Sequence, residues 1–206
     1  MWTDESIKKF WEHNESRFAG DTTAPTIIRL SRRYVRERVL DVGSGSGALL
    51  RLLPESSVGL DIVPRAPEIV RGSIDHLPFD DGAFNTVFAT DILEHLQVET
   101  LAKGVQEMHR VLAVGGKLIA VIPNRENLAD NSVFCPECGS TFHRWGHLTS
   151  FDEARVYHLL IRFKRVDVTP MPLRLMAENG IARRLWRVLL LTKVISPSDL
   201  FIVATR

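Results

Sequence analysis

The feature that most constrains this chain is a short apolar run that passes without a break into glycines. Val39-Leu40-Asp41-Val42 is followed at once by Gly43-Ser44-Gly45-Ser46-Gly47. Apolar β-branched residues favour a buried strand, and alternate glycines let the backbone turn sharply and let a ligand approach it closely. The run predicts a strand whose carboxyl end opens into a binding loop. The spacing is neither the G-x-G-x-x-G of a dinucleotide fold nor a loop closed by Lys-Ser/Thr that cradles phosphate.

Downstream the pattern alternates. Strands are expected at 38–42, 57–62, 70–74, 85–90, 117–122, 164–169 and 199–205. Helices are expected at 4–13, 24–36, 48–53, 97–112 and 150–162, the longest carrying Leu101, Val105, Met108 and Leu112 at helical spacing. Gly115-Gly116 is read as its end, and Thr149/Ser150 with Glu153 as the start of the last. Such alternation predicts an α/β fold, Rossmann-like and doubly wound. It has a mostly parallel seven-stranded sheet with helices on both faces. Ligands of such sheets bind beyond the carboxyl ends of the strands. One domain over 1–206 accounts for the length: lid helices at 1–36, a cofactor-binding core at 37–124, a loop at 125–148 and a helical insertion at 170–198.

Two acids refine the ligand. Asp61 ends the second strand, where a carboxylate can accept hydrogen bonds from a ribose diol. Asp41, beside the glycine loop, would repel a pyrophosphate but suits a cationic or amine-bearing ligand. Together they favour a nucleoside cofactor without phosphates.

VLDVGSGSG, the acid in GLDIV, RGSIDHLPFDDGAFNTVFATDILEHL and EMHRVLAVGGKLIAVIPN occur in that order. This series resembles class I S-adenosylmethionine-dependent methyltransferases, in particular the ubiquinone/menaquinone branch, over about residues 35–125. The resemblance implies that Asp41 and the loop of Gly43, Ser44, Gly45 and Gly47 hold the methionine part of S-adenosylmethionine. It places Asp61 on the ribose and Ile62 on the adenine, with Thr90 also on the cofactor side. The usual G-D-A reads Gly72-Ser73-Ile74, so Ser73 and the Ile74 N–H would meet the adenine edge. The usual F-D-x-V reads Phe84-Asn85-Thr86-Val87. Methyl transfer can rest on proximity and orientation alone, so a base is optional. His95, at an ordinary pKa of about 6.5, Asp91 and His13 are the candidates; the alternative for Glu94 and His95 is a structural helix start.

Cys135, Cys138, His143 and His147 read C-x2-C-x4-H-x3-H. A cysteine knuckle with two downstream imidazoles predicts a closed, structural zinc site, stiffening an acceptor wall that includes Phe142 and Trp145. A redox pair and free thiols are the alternatives.

The 26 Lys+Arg balance 25 Asp+Glu, two cysteines exclude a disulfide scaffold, and no apolar run reaches the ~20 residues of a membrane span. The amino-terminal Met1-Trp2-Thr3-Asp4-Glu5 lacks a signal pattern. A soluble, cytoplasmic protein is expected. Arginines nevertheless cluster at Arg29, Arg32, Arg33 and Arg36, and at Arg174, Arg183, Arg184 and Arg187. They are solvated faces or a platform for an acidic acceptor. The expected activity is methyl transfer to a small or lipid-like molecule. The rivals are an RNA or protein methyltransferase and a non-catalytic cofactor- or zinc-binding module. The 170–198 segment could be a lid, a homodimer contact or a membrane-surface helix.

Overall fold

The computed structural model describes residues 4–13 and 20–206. The expected lid region 1–36 includes residues 1–3 and 14–19, which lie outside the described residues.

Seven strands form the central sheet: β1 (Val39–Val42), β2 (Val58–Asp61), β3 (Ile69–Arg71), β4 (Phe84–Thr90), β5 (Leu112–Pro123), β8 (Arg165–Met171) and β9 (Asp199–Thr205). Their order is β3-β2-β1-β4-β5-β9-β8. The pairs β1–β2, β1–β4, β2–β3 and β4–β5 are parallel, and β9 runs antiparallel between β5 and β8. A separate hairpin joins β6 (Ser132–Phe134) to β7 (Thr141–His143). The helices are α1 (Asp4–His13), α2 (Gly20–Ser31), α3 (Val98–Val111), α4 (Glu153–Leu159), α5 (Leu173–Glu178) and α6 (Gly180–Leu191).

Strand residues divide by parity between two cores. Leu40, Val42, Val87, Ala89, Leu118 and Ala120 pack with Leu101, Val105 and Met108 of α3. Val39, Phe88, Ile119 and Val121 pack with Ala24 and Ile27 of α2 and with Leu173 and Met176 of α5. Because both faces are covered, the inner strands are mostly apolar on both faces, with Asp41 of β1 and Thr86 of β4 as buried polar exceptions.

Four expected boundaries move, each for a local reason. The helix expected at 24–36 ends at Ser31, whose hydroxyl donates to the carbonyls of Ile27 (2.8 Å) and Ile28 (3.2 Å). The helix expected at 48–53 is only a 3-10 turn, Leu50–Leu52, stopped by Pro54. The long helix ends at Val111, and Gly115 (φ +78°) instead serves an irregularity inside β5, where the register with β4 shifts. The last of these helices begins after Asp152, whose carboxylate accepts from the Arg155 N–H at 2.8 Å, and not at Thr149 or Ser150.

The 170–198 segment supplies α5, which packs on α2, and α6, capped by Asn179 accepting from the N–H groups of Ile181 (2.9 Å) and Ala182 (3.1 Å). Ile181, Leu185, Val188 and Leu191 of α6 are exposed. Among the described residues, no helix is long and apolar enough to cross a membrane.

Candidate active site

A cavity of about 450 Å³ opens at the carboxyl ends of β1, β2 and β4. Its wall includes Gly43, Gly45, Asp61, Ile62, Ser73 and Ile74 of the expected cofactor set. Gly43 has φ +73°, and a Cβ there would meet Ile92 Cδ1 at 2.4 Å, so glycine is required twice over. Asp61 is fixed by main-chain donors: Oδ2 accepts from Gly45 N at 2.9 Å and Oδ1 from Val63 N at 2.8 Å. Burial pushes its carboxyl up, while these N–H groups and Arg65 pull it back. The result is a carboxylate held rigidly at the cavity wall with lone pairs to spare.

The rest of the expected cofactor set stands behind that wall. Among the described residues, the lining excludes Asp41, Ser44, Gly47 and Thr90. Asp41 is 1% exposed inside β1. Burial pushes its carboxyl up to about 7, with the Ser44 hydroxyl opposing and Asp61 adding to the rise. Ser44 Oγ donates to the Asp41 carbonyl at 2.7 Å, and the Gly47 N–H donates to the Ser44 carbonyl at 2.7 Å. These residues shape the loop from beneath. Asp41 itself stands behind the wall, with its Oδ2 buried and without a hydrogen-bond partner.

The acid missing at Ser73 is recovered two residues later. Ser73 Oγ donates to Asp75, and Asp75 lines the same cavity. The signal was present in Gly72-Ser73-Ile74-Asp75, two residues beyond the usual position of the acid. Asp91 also lines the cavity, at φ +51°. Its Oδ2 is shut off from solvent and has no hydrogen-bond partner. Burial pushes Asp91 up to about 7, reinforced by Asp199 and opposed by Arg174. Ile7, Lys8 and Trp11 of α1 close one side; the amphipathic helix was legible, its place over the cavity was not.

Among the base candidates, His95 lines the cavity and packs edge-on against Trp11, ring centroids 4.8 Å apart. Burial, with His147 adding to it, drives its pKa down to about 3. His95 is therefore an uncharged ring at neutral pH, well below the ordinary imidazole value of about 6.5. His13 lies off the cavity wall in the last turn of α1, exposed, with Nδ1 2.9 Å from the Lys9 carbonyl.

The expected zinc tetrad is not assembled. Cys135 and Cys138 occupy the turn at the tip of the β6–β7 hairpin, closed by Cys135 N to Ser140 O (2.8 Å) and Gly139 N to Cys135 O (2.9 Å). Hydrogen bonds from Ser140 and Cys135 bring the exposed Cys138 thiol down to about 7. His143 pairs with Ser132 at the other end of the hairpin, two strand residues back from the tip pair Phe134–Thr141. At ~3.3 Å per residue the ladder separates the imidazole from the thiols. Instead, His143 Nε2 lies 3.3 Å from Glu126 Oε1, and His147 Nδ1 bonds Glu126 Oε2. The two rings stack at 4.6 Å. Candidate ligands thus gather in two sets sharing His147: Glu126–His143–His147 and Glu94–His95–His147. Neither set contains a cysteine. Phe142 and Trp145 are not among the cavity's lining residues, and Gly146 of the same loop is pressed against Phe10 of α1.

The comparisons with known proteins agree with this architecture. A family model described as a methyltransferase domain matches residues 40–120. An uncharacterized protein of Methanocaldococcus jannaschii is 29% identical over 128 residues, covering 57% of this chain and 56% of that protein. The ubiquinone/menaquinone biosynthesis C-methyltransferase of a Geobacter species is 34% identical over 104 residues, 40% of this chain and 43% of that enzyme. The chain thus spans about half the length of these curated relatives. Among solved structures, a SAM-dependent methyltransferase from Archaeoglobus fulgidus superposes with a TM-score of 0.65 at 18% identity, covering 96% of this chain and 99% of that one. The Burkholderia thailandensis 1,6-didemethyltoxoflavin-N1-methyltransferase, solved with its substrate and S-adenosylhomocysteine, gives 0.62 at 16% identity, covering 98% and 83%. The chain thus has the Rossmann-like α/β fold of S-adenosylmethionine-dependent methyltransferases, and its residues 40–120 match the methyltransferase-domain model.

Proposed function

We propose that this protein transfers a methyl group from S-adenosylmethionine to a small-molecule or lipid-like acceptor. The observation that carries the reading is Asp61: a carboxylate at the end of β2, locked by two main-chain N–H groups and facing the cavity beside a loop that only glycines can form. That arrangement suits a ribose diol, with the free oxygen of Asp91 suiting an ammonium group. Asp75 and the Ile74 N–H are placed for the polar edge of adenine. S-adenosylmethionine supplies an electrophilic methyl on a sulfonium centre; the chain's own part is to bind, orient and exclude water.

Beyond the residues assigned to the cofactor, the cavity wall is largely apolar, with Lys8, Arg65, Gln97 and Thr100 among its polar members. Ile7, Trp11, Ile92 and Leu96 face the cavity, and none of the clustered arginines does so among the described residues. Arg36 N donates to Thr86 Oγ1 (2.9 Å) and Arg38 to Asn85 Oδ1 (2.9 Å), at the amino-terminal end of β4, opposite the cavity. This favours a small acceptor over RNA. Incubation with methyl-labelled S-adenosylmethionine and fractionated small-molecule and lipid extracts tests the reading. Label should appear in a low-molecular-weight product and vanish with Asp61→Ala. Label confined to RNA or protein, or none in any fraction, would reject it.

A further inference from the structure

Glu94 and His95 sit in a 3-10 turn after β4 and are 1% and 8% exposed. Buried polar atoms are nearly always partnered. Yet Glu94 Oε2 and His95 Nδ1 have no hydrogen-bond partner, and they lie in one cluster with His147. The ligand atoms of Glu94, His95 and His147 are all within 4.8 Å of one another. The His95 and His147 rings meet edge to face at 4.7 Å. The loop bearing His147 is tied to this turn by its backbone: the Leu148 and Thr149 N–H groups both donate to the Glu94 carbonyl, at 2.7 and 3.1 Å.

Glu126 completes the picture. Its carboxylate bonds His147 Nδ1, which leaves Nε2 of that ring as the lone-pair nitrogen. An imidazole held through one nitrogen by a carboxylate presents the other nitrogen to a metal. Two imidazoles and a carboxylate suit a borderline divalent ion such as Zn²⁺ rather than Mg²⁺ or Ca²⁺. Bonds of ~2.0–2.2 Å around a tetrahedral ion separate ligand atoms by ~3.3 Å, so the cluster needs to contract by roughly 1–1.5 Å.

We propose that Glu94, His95 and His147 bind a divalent cation of the zinc class, with Glu126 orienting His147. Three protein ligands leave one position for water or an acceptor heteroatom. Since His95 is also part of the cavity wall, the ion would sit beside the cavity. The site joins the methyltransferase core to the 124–150 loop, and the cysteines at the hairpin tip take no part in it.

The test is a titration of chelator-stripped full-length protein with Co²⁺, followed by visible absorption and by Zn²⁺ competition. One Co²⁺ per chain is expected, with d–d bands and no thiolate charge-transfer band. H147Q and E94Q should each weaken binding at least about tenfold, and E126Q by about 10–100-fold, as for an outer carboxylate. The C135S/C138S double variant should bind as the parent does. Should E94Q fail to fold, H147Q on the loop carries the same test. Absence of stoichiometric Co²⁺ binding would overturn the proposal, as would a thiolate band that C135S/C138S removes. No cofactor or acceptor is present, so the outcome is independent of methyl transfer.

Discussion

Two carboxylates, Asp61 on the cavity wall and Glu94 buried in the turn after β4, are finished differently. Asp61 has main-chain donors on both oxygens at 2.8–2.9 Å and offers its remaining lone pairs to the cavity. Glu94 is 1% exposed, keeps an oxygen without a partner, and burial holds its carboxyl well above the usual range. One side is complete in the polypeptide alone and, on the proposed function, receives a neutral diol. The other is incomplete, and the missing element is a cation. The difference follows a general rule: satisfied groups with lone pairs left over suit a neutral ligand, and polar groups left unsatisfied together suit an ion.

The contrast can be broken at several points. The largest effect is expected from Asp61→Ala: loss of charge-assisted hydrogen bonds to a diol, at ~1.5–3 kcal/mol each, should weaken cofactor binding by about 100-fold or more in calorimetry. Asp41→Asn comes next. The Asp41 carboxyl, raised from 3.8 to about 7, holds its proton in the folded state where the unfolded chain has lost it. Its stabilising contribution is full below about pH 4 and is lost as pH rises towards 7, by up to about 4 kcal/mol. His95, lowered to about 3, acts with the opposite slope between about 3 and 6.5. The informative quantity is therefore parent minus Asp41→Asn in urea unfolding at pH 4 and pH 8, which should shift against the parent at the higher pH.

Gly43→Ala should cost about 1–3 kcal/mol, because alanine at φ +73° is strained and its Cβ would displace Ile92. Thermal unfolding reads the loss, and cofactor affinity should fall with it. Cys138→Ser is the smallest: an exposed residue at a hairpin tip should change stability by less than about 0.5 kcal/mol. A large loss there would restore the cysteines to a metal site and undo the contrast.

The parts of the molecule legible in the sequence are those written by local rules. Strand parity, the glycine loop and the acid ending β2 depend on residues adjacent in the chain, and they led to Gly43, Gly45 and Asp61 on the cavity wall, while the family resemblance added Ile62, Ser73 and Ile74. Asp75 was close at hand but hidden by a two-residue displacement in a familiar block. Trp11 over the cavity and Glu126 against His147 were not legible, because each depends on a long-range approach that no spacing encodes. The zinc reading went astray for a related reason. C-x2-C-x4-H-x3-H describes spacing along the chain, whereas hairpin pairing sets His143 at the far end of the hairpin and leaves the thiols at its tip, and His147 follows outside it.

The most direct measurement is calorimetric titration of the parent and Asp61→Ala with S-adenosylhomocysteine, alongside circular dichroism to confirm that both are folded. One molecule bound per parent chain and an affinity about 100-fold weaker in Asp61→Ala would place the cofactor on the β2 carboxylate. Equal affinities in two folded proteins would contradict that placement.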